Sequence, residues 1–406
     1  MVSPVPTDPS DAGNRARIVS VAQTLMQAEH ELHFAYVPLE SYDLPAMANR
    51  FGADRLHLLQ WAPRSGLGSL LARIARKLGR MAKIDAAYTL GLDDWYDPRT
   101  SAKLSQLQAK HRFDAVLVEY VFMSKAFEAF EAPCLKVLDT HDCFGLRHRH
   151  YLEAGLKPQW FSTTMAAEEL GFRRADFVLA IQASEAQKFT GRLSGTDTHV
   201  LQVGHLVDLA APPPPSTREA AVFVGSSNPL NVAGARYFIE QVLPLVREAK
   251  PGFELLLAGS ISGQIDATPG VVKLGFVPKL QDAFASAMVA INPMTAGTGL
   301  NIKLLDAMAA AMPIVTTRSG ARGVEKLCGS AFTVVNDDDP AHFAQQIVSL
   351  IDDVQARQLL AAGARTAAVD WNIEQLGALF IALKEKPKIA AISPLPCSTN
   401  ILDILK

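Results

Sequence analysis

The stretch Gly297-Thr298-Gly299-Leu300-Asn301-Ile302-Lys303-Leu304-Leu305-Asp306 sets a glycine pair ahead of an apolar-periodic segment that opens near Asn301. Glycines let backbone amides approach an anion closely, and a helix start adds unsatisfied N–H groups and a positive dipole end. Lys303 falls in the first turn, where an ammonium supplies a point charge for phosphate. Asp306 follows on the same helix side; its carboxylate can accept two hydrogen bonds from a ribose diol. Lysine on phosphate and carboxylate on ribose is the layout a nucleoside diphosphate needs. The same spacing also fits a plain loop followed by a surface Lys–Asp ion pair.

Two further glycine turns have matching chemistry. In Val224-Gly225-Ser226-Ser227-Asn228-Pro229-Leu230-Asn231, the small and amide residues Gly225, Ser226, Asn228 and Asn231 suit a phosphate or sugar. An ordinary strand-to-helix turn with Asn231 as N-cap fits as well. In Ser10-Asp11-Ala12-Gly13-Asn14-Arg15-Ala16-Arg17, Gly13 and Asn14 form the turn. Arg15 or Arg17 would then neutralise phosphate or hold an acceptor; a solvated arginine at a helix start is the alternative for at least one of them.

Histidine and acids gather at two other strand ends. Leu135 to Asp139 runs into Thr140-His141-Asp142, where His141 can hydrogen-bond a transferred sugar or its developing charge. Asp139 or Asp142 would orient it; a histidine satisfied by a nearby carbonyl is the plainer alternative. Glu119-Tyr120 ends another strand and is placed, with Arg15 and Asp142, on the acceptor side. Asp337-Asp338-Asp339 reads as a helix cap, with Asp339 at N-cap and Pro340 at the first helical position. Asp93-Asp94 lacks supporting ligands, and no metal site is expected.

These turns need strands ahead of them and helices behind. Strand candidates in the first half are Met1 to Val5, Leu32 to Val37, Leu56 to Gln60, Ala115 to Val118, Leu135 to Asp139, Phe177 to Ile181 and His199 to Val203. Helices such as Ala16 to Ala28 and Phe161 to Arg173 lie between them. The second half offers strands at Ala220 to Val224, Glu254 to Ala258, Val271 to Leu274, Val289 to Asn292, Ile314 to Thr317 and Ala331 to Val335. Its helices include Val232 to Val246 and a closing Asn372 to Lys384. Such alternation is the pattern of parallel sheets with crossover helices. Pro212-Pro213-Pro214-Pro215-Ser216 cannot continue a helix or central strand and reads as a linker. The expected division is therefore 1–207, a linker at 208–218, 219–370, a helix at 371–386 that packs back on the first half, and an aperiodic tail at 387–406. Two such halves enclose a cleft, and open α/β sheets bind ligands beyond the carboxyl ends of their strands.

The bulk composition agrees. A chain of 406 residues, 49% hydrophobic and 20% charged, is a globular chain long enough for two cores. Its net charge of -2 gives no reason to expect a nucleic-acid partner. Cys134, Cys143, Cys328 and Cys397 form no C-x-x-C pair and fit reduced thiols in a cytosol. No signal peptide is expected, because the first residues carry neither a basic leader nor an apolar core. No apolar run is long enough to span a bilayer. The expected location is cytoplasmic, with docking at the inner face of the plasma membrane suggested by one segment. Arg55 to Ile84 has no Asp or Glu but carries Arg55, Arg64, Arg73, Arg76, Lys77, Arg80 and Lys83. Leu70, Leu71, Ile74, Leu78, Met81 and Ile84 recur there at helical spacing. A basic amphipathic helix over 68–84 can lie on an anionic membrane; a helix packed on its own sheet with a solvated basic face fits the same pattern.

Taken together, Gly297 to Ala309, then Pro313-Ile314-Val315-Thr316-Thr317 and Gly320-Ala321-Arg322-Gly323, resemble the C-terminal domain of glycosyltransferase family 4. Gly225 to Asn231 resembles the start of that domain. Gly13 to Arg17, His141-Asp142, Arg174-Ala175-Asp176 and Phe177 to Ala180 resemble the N-terminal half. The likeness spans roughly 1 to 385, and the 297 to 323 block is its most specific part. It implies a GT-B fold, an α/β architecture of two Rossmann-like domains facing each other across a cleft, the first for the acceptor and the second for the nucleotide-sugar. A nucleoside-diphosphate-sugar donor, no required cofactor or metal, and retention of anomeric configuration by front-face attack are also implied. Carried over, Lys303 meets the diphosphate and Asp306 the ribose. Gly297, Thr298, Gly299 and Leu300 shape the donor loop. Gly13, Asn14 and Arg17 lie against the donor phosphate or sugar, and His141 beside the sugar. Many members have two glutamates around this loop; here Asp306 stands at the ribose position and Ala296 nearest the other. Expected partners are the donor and a saccharide or lipid-linked acceptor, in bacterial-type polysaccharide, glycolipid or glycoconjugate synthesis. A nucleotide-sugar 2-epimerase and a non-catalytic nucleotide-sugar binder are the alternatives. A dehydrogenase is disfavoured, since no G-x-G-x-x-G follows the first strand.

Overall fold

The computed structural model describes residues 1–383 except Asp11, 63–65, Ala154, Leu156, Thr298 and Gly299. Arg64 of the basic run and the 387–406 tail thus lie outside the described residues. The chain divides into two units. The first comprises Met1–Gly204 with the end of the last helix from Gly377 on; the second is His205–Leu376. His205 to Val207, read from sequence as the end of the first half, therefore group with the second.

In the first unit the order is β1 (Val2–Ser3), α1 (Gly13–Gln27), β2 (Phe34–Tyr36), α2 (Leu44–Phe51), β3 (Leu56–Leu58), α3 (Leu67–Met81), α4 (Pro98–His111), β4 (Ala115–Glu119), β5 (Leu135–Asp139), α5 (Arg147–Glu153), α6 (Met165–Phe172), β6 (Phe177–Ala180), α7 (Ala183–Arg192) and β7 (His199–Gln202). The seven strands form one sheet in the order β3-β2-β1-β4-β5-β6-β7, every pair parallel. The order reverses beside β1, the switch point where such sheets open a crevice.

The second unit runs β8 (Ala220–Val224), α8 (Pro229–Tyr237), α9 (Leu243–Ala249), β9 (Glu254–Ala258), β10 (Val271–Gly275), α10 (Leu280–Phe284), β11 (Val289–Asn292), α11 (Ile302–Ala309), β12 (Ile314–Thr317), β13 (Thr333–Val335), α12 (Pro340–Asp352) and α13 (Val354–Ala382). Its sheet order is β10-β9-β8-β11-β12-β13, again all parallel. Both faces are covered, which is why the strands are apolar without alternation. Ala220 and Val222 of β8 join one core with Leu305, Met308 and Trp371, while Ala221 and Phe223 join the other with Phe238, Phe253 and Phe343.

Three helices differ from the sequence reading, and the one expected from Phe161 to Arg173 starts only at Met165, after Thr164 caps it. The one expected at Val232 to Val246 begins earlier, at Pro229, and continues through a π-turn at Phe238–Val242 into α9. Pro244 has no N–H for the regular i→i−4 bond, and a wider turn absorbs the defect. The closing helix is only the last part of α13, which is 29 residues long. Gly363 is tolerated inside it because a Cβ there would lie 1.8 Å from the Ser330 carbonyl oxygen.

Candidate functional site

In the second unit the order reverses at β8 and β11, and the two glycine turns singled out from sequence leave the carboxyl ends of these strands. Gly225 is held tightly. Its N–H donates to the Ala258 carbonyl at 2.9 Å, and its carbonyl accepts from the Ile261 amide at 3.1 Å. Gly259, at φ +96°, closes against it, since a Cβ there would sit 2.4 Å from the Gly225 oxygen. Asn228, not Asn231, caps α8: its side chain accepts from the Leu230 amide at 2.9 Å, with Pro229 in the first position. Proline favours that position, which fixes the cap one residue before it.

Asn231 is instead buried inside α8 and links the two turns. Its Nδ2 donates to the Ser226 carbonyl and hydroxyl, both at 3.1 Å, and its Oδ1 accepts from Lys303 Nζ at 2.8 Å. Lys303, in the first turn of α11, also lies 3.6 Å from the Met294 sulfur and 5.6 Å from the Phe223 ring centroid. Among the described residues it has no carboxylate partner. Burial lowers its pKa to about 8. A desolvated ammonium without a counter-charge gains most from an incoming anion.

Lys303 and Asp306 do not pair with each other, so the surface-ion-pair alternative fails. Asp306 Oδ1 lies 3.4 Å from His205 Nε2. His205 is buried, and its backbone carbonyl accepts from Trp371 Nε1 at 2.7 Å, so the α13 indole anchors the main chain at the residue whose imidazole faces the carboxylate. His205 was missed in the sequence because it precedes the linker and belongs to no motif. Of the donor-loop residues, Gly297 has φ +156° and Leu300 is half-buried, while Thr298 and Gly299 lie outside the described residues. Asn301 precedes α11 without capping it; its Nδ2 donates to the Ser319 carbonyl at 3.3 Å.

The first unit has its own polar cluster where β4 and β5 end. Glu119 and Asp139 are register partners on these strands. The His141 Nε2 hydrogen-bonds Glu119 Oε2 and lies 4.0 Å from Asp139 Oδ2. Its ring stacks on Tyr120, centroids 4.1 Å apart. Arg17 clamps Asp139, with Nε to Oδ2 at 2.9 Å and Nη2 to Oδ1 at 2.9 Å, and Nη2 also donates to the Val203 carbonyl at 2.7 Å. Tyr120 and His141 both hold positive φ, 70° and 60°. Left-handed non-glycine residues cost about 1–3 kcal/mol each and gather at functional sites. Burial pushes the Glu119 carboxyl up, and the Asp139 charge adds to that shift.

This geometry revises four sequence readings. Glu119, placed on the acceptor side, is fully buried and is the group that orients His141. Asp142 does not orient it: its carboxylate accepts from Arg147 Nε at 2.7 Å and the Cys143 amide at 2.8 Å. Arg17 is no solvated arginine, and its fork is taken up by Asp139. Arg15 is buried too, donating to the Pro9 carbonyl at 3.0 Å and to Glu40 at 2.9 Å. Gly13 opens α1, whose first turn carries no side-chain cap, and Asn14 Oδ1 accepts from the Arg15 amide at 3.0 Å. Glu119, Asp139 and His141 also have the spacing of a metal-ligand trio. The Arg17 guanidinium already supplies a positive charge to this cluster.

Fold and site define a class. Two all-parallel Rossmann-like sheets make a GT-B architecture, and residues 218–353 match the family described as Glycosyl transferases group 1. Among solved structures, Anabaena HepE in complex with UDP and glucose is similar, with a TM-score of 0.59 and 15% identity over 93% of this chain and 98% of that one. TarM is similar at TM-score 0.54 and 10% identity, over 70% of this chain. An uncharacterized 44.6 kDa protein from the cps region of Klebsiella pneumoniae is 28% identical over 156 residues, 35% of this chain. The chain spans only 40% of that relative's length and 58% of TarM's.

Proposed function

We propose that this chain is a retaining glycosyltransferase of the family 4 type. It would move a sugar from a nucleoside-diphosphate sugar to a hydroxyl of a saccharide or lipid-linked acceptor, in polysaccharide, glycolipid or glycoconjugate synthesis. The observation that carries the reading is Lys303: a desolvated ammonium with no carboxylate partner among the described residues, aimed by Asn231, at the start of the helix that follows a switch-point strand. The anomeric C–O bond to the diphosphate breaks while the acceptor oxygen bonds the same carbon from the same face. The acceptor proton passes to a leaving phosphate oxygen, whose charge Lys303 stabilises. Asp306, steadied by His205, takes the ribose hydroxyls. His141, with Nε2 on Glu119, keeps Nδ1 for the sugar.

The neighbour with UDP and glucose makes UDP the first nucleotide to try, and the cps-region relative favours a capsule-type acceptor. Isothermal titration with UDP, GDP and other nucleoside diphosphates should give one tight ligand, and Lys303→Glu should abolish its binding. Unchanged affinity in that variant would overturn the assignment. Product formed from the donor without any acceptor would mark an epimerase instead.

A second element supports a lipid-linked acceptor. On α3 and just beyond it, Leu71 is 60% exposed, Leu78 60%, Met81 74% and Ile84 55%, so this apolar face is not packed on its own sheet. The basic residues on the same helix complement an anionic surface, and we assign the face to an anionic membrane.

A further inference from the structure

We infer that His33, His57 and His111 form a binding site for one late first-row divalent ion of the Zn²⁺ kind, at the β2–β3 edge of the first sheet, away from the carboxyl end of β5 where His141 lies. His33 immediately precedes β2, His57 lies in β3 and His111 ends α4. Their ligand nitrogens all fall within 4.8 Å of one another. His33 Nδ1 and His57 Nε2 are 2.9 Å apart. Two imidazoles on a tetrahedral Zn²⁺ place their nitrogens about 3.3 Å apart, given Zn–N bonds of about 2.0–2.1 Å. Small ring movements therefore suffice for that pair.

Three independent features point to a ligand. First, His111 Nε2 is buried and has no hydrogen-bond partner. Buried polar nitrogens are seldom left so. Second, His33 turns its other nitrogen, Nε2, to Glu31 Oε1 at 3.2 Å. A carboxylate on the far nitrogen is how metal-bound histidines are oriented, so Glu31 is a positioning residue. Third, the imidazoles stand on the wall of a cavity of about 620 Å³, whose lining also includes Glu31, Lys110, Arg112 and Asp114. Three imidazole nitrogens suit a borderline ion better than a hard ion that prefers oxygen ligands.

The ion would tie the β2–β3 edge to the end of α4, a structural role independent of sugar transfer. The untagged full chain, stripped with EDTA and titrated with Co²⁺ and Zn²⁺, tests this. We expect one equivalent bound, visible d–d bands with Co²⁺, and a Tm raised by about 5 °C at saturating Zn²⁺. His57→Gln and His111→Gln should each weaken binding at least about 30-fold, Glu31→Gln by about 10–100-fold, and His150→Gln not at all. Nitrogen hyperfine structure in the electron paramagnetic resonance of the Cu²⁺ form reads the ligands without any variant. Wild-type binding no tighter than that of the His57→Gln/His111→Gln double variant, Cu²⁺ spectra without imidazole nitrogen, or binding lost only on His141→Ala would each overturn the inference.

Discussion

At the scale of single residues, the consequential finding is that the charges with chemistry to offer are held by neutral amides or by partners distant in sequence. Lys303 sits on an amide oxygen, so its charge is uncompensated until an anion arrives. Replacing it with Met should weaken nucleoside-diphosphate binding about 10–100-fold, the range of a hydrogen bond to a charged group. The pKa of about 8 sets the pH dependence. The ammonium is present below pH 8, so affinity should fall as pH rises through that value. Lys303→Arg, which keeps its charge, should flatten the profile in a titration series from pH 7 to 9. For the free protein the sign is opposite. The depressed value means the unfolded chain holds more protons between about 8 and 10.5, so this lysine makes stability rise with pH across that window. His141 gives a second prediction. Glu119→Gln keeps the shape but removes the acceptor charge that orients the imidazole, so turnover should drop about 10²-fold or more while nucleotide affinity stays unchanged. Equal losses in both would mean that the pair only maintains the fold.

At the scale of elements, the strands were legible wherever an apolar run was bounded by turn residues. β5, β8, β9, β11 and β12 occupy the residues expected of them, because buried parallel strands need unbroken apolar sequence. Helix ends were less legible: the cap at Asn228 was read as Asn231, and the π-turn forced by Pro244 leaves no periodic trace. The site itself was half visible. Glycine turns, Lys303, Asp306 and His141 carry local patterns, but their partners do not. Arg17 meets Asp139 across 122 positions and Lys303 meets Asn231 across 72, and no period or motif links such pairs. The three histidines of the proposed metal site were invisible for the same reason. The tight turn at β8 can be probed directly. Gly259 combines φ +96° with a contact that leaves no room for a methyl group. Gly259→Ala should therefore destabilise the protein by about 1–3 kcal/mol in urea unfolding and weaken nucleotide binding by shifting Gly225. Gly252→Ala, which meets nothing within 4 Å, is the control.

At the scale of the whole molecule, charge is distributed unevenly. The chain carries a net charge of -2, yet the segment from Arg55 to Ile84 holds seven cations and no acid, which leaves -9 for everything else. Among the described residues no helix is long and apolar enough to cross a membrane, so contact through this segment would be peripheral. Both parts of such contact are on α3: apolar side chains left outside the core, and a basic complement on the same helix. Arg76 lies 3.7 Å from Asp94, and Arg80 donates to the Ala87 carbonyl at 3.0 Å, so these two are partly occupied within the protein. Arg73, Lys77 and Lys83 are exposed. At about 1 kcal/mol per cation near an anionic leaflet, three such residues give an attraction that salt should weaken. Co-sedimentation with phosphatidylglycerol vesicles should therefore be strong at 20 mM salt, at least about fivefold weaker at 500 mM, and absent with neutral phosphatidylcholine. Leu71→Ser/Leu78→Ser should lower binding at every salt concentration, because it removes the apolar anchor and leaves the charge. Arg73→Gln/Lys77→Gln should instead flatten the salt dependence. No binding to anionic vesicles at low salt would remove the membrane from this account, leave the nucleotide site untouched, and point to a soluble saccharide as the acceptor.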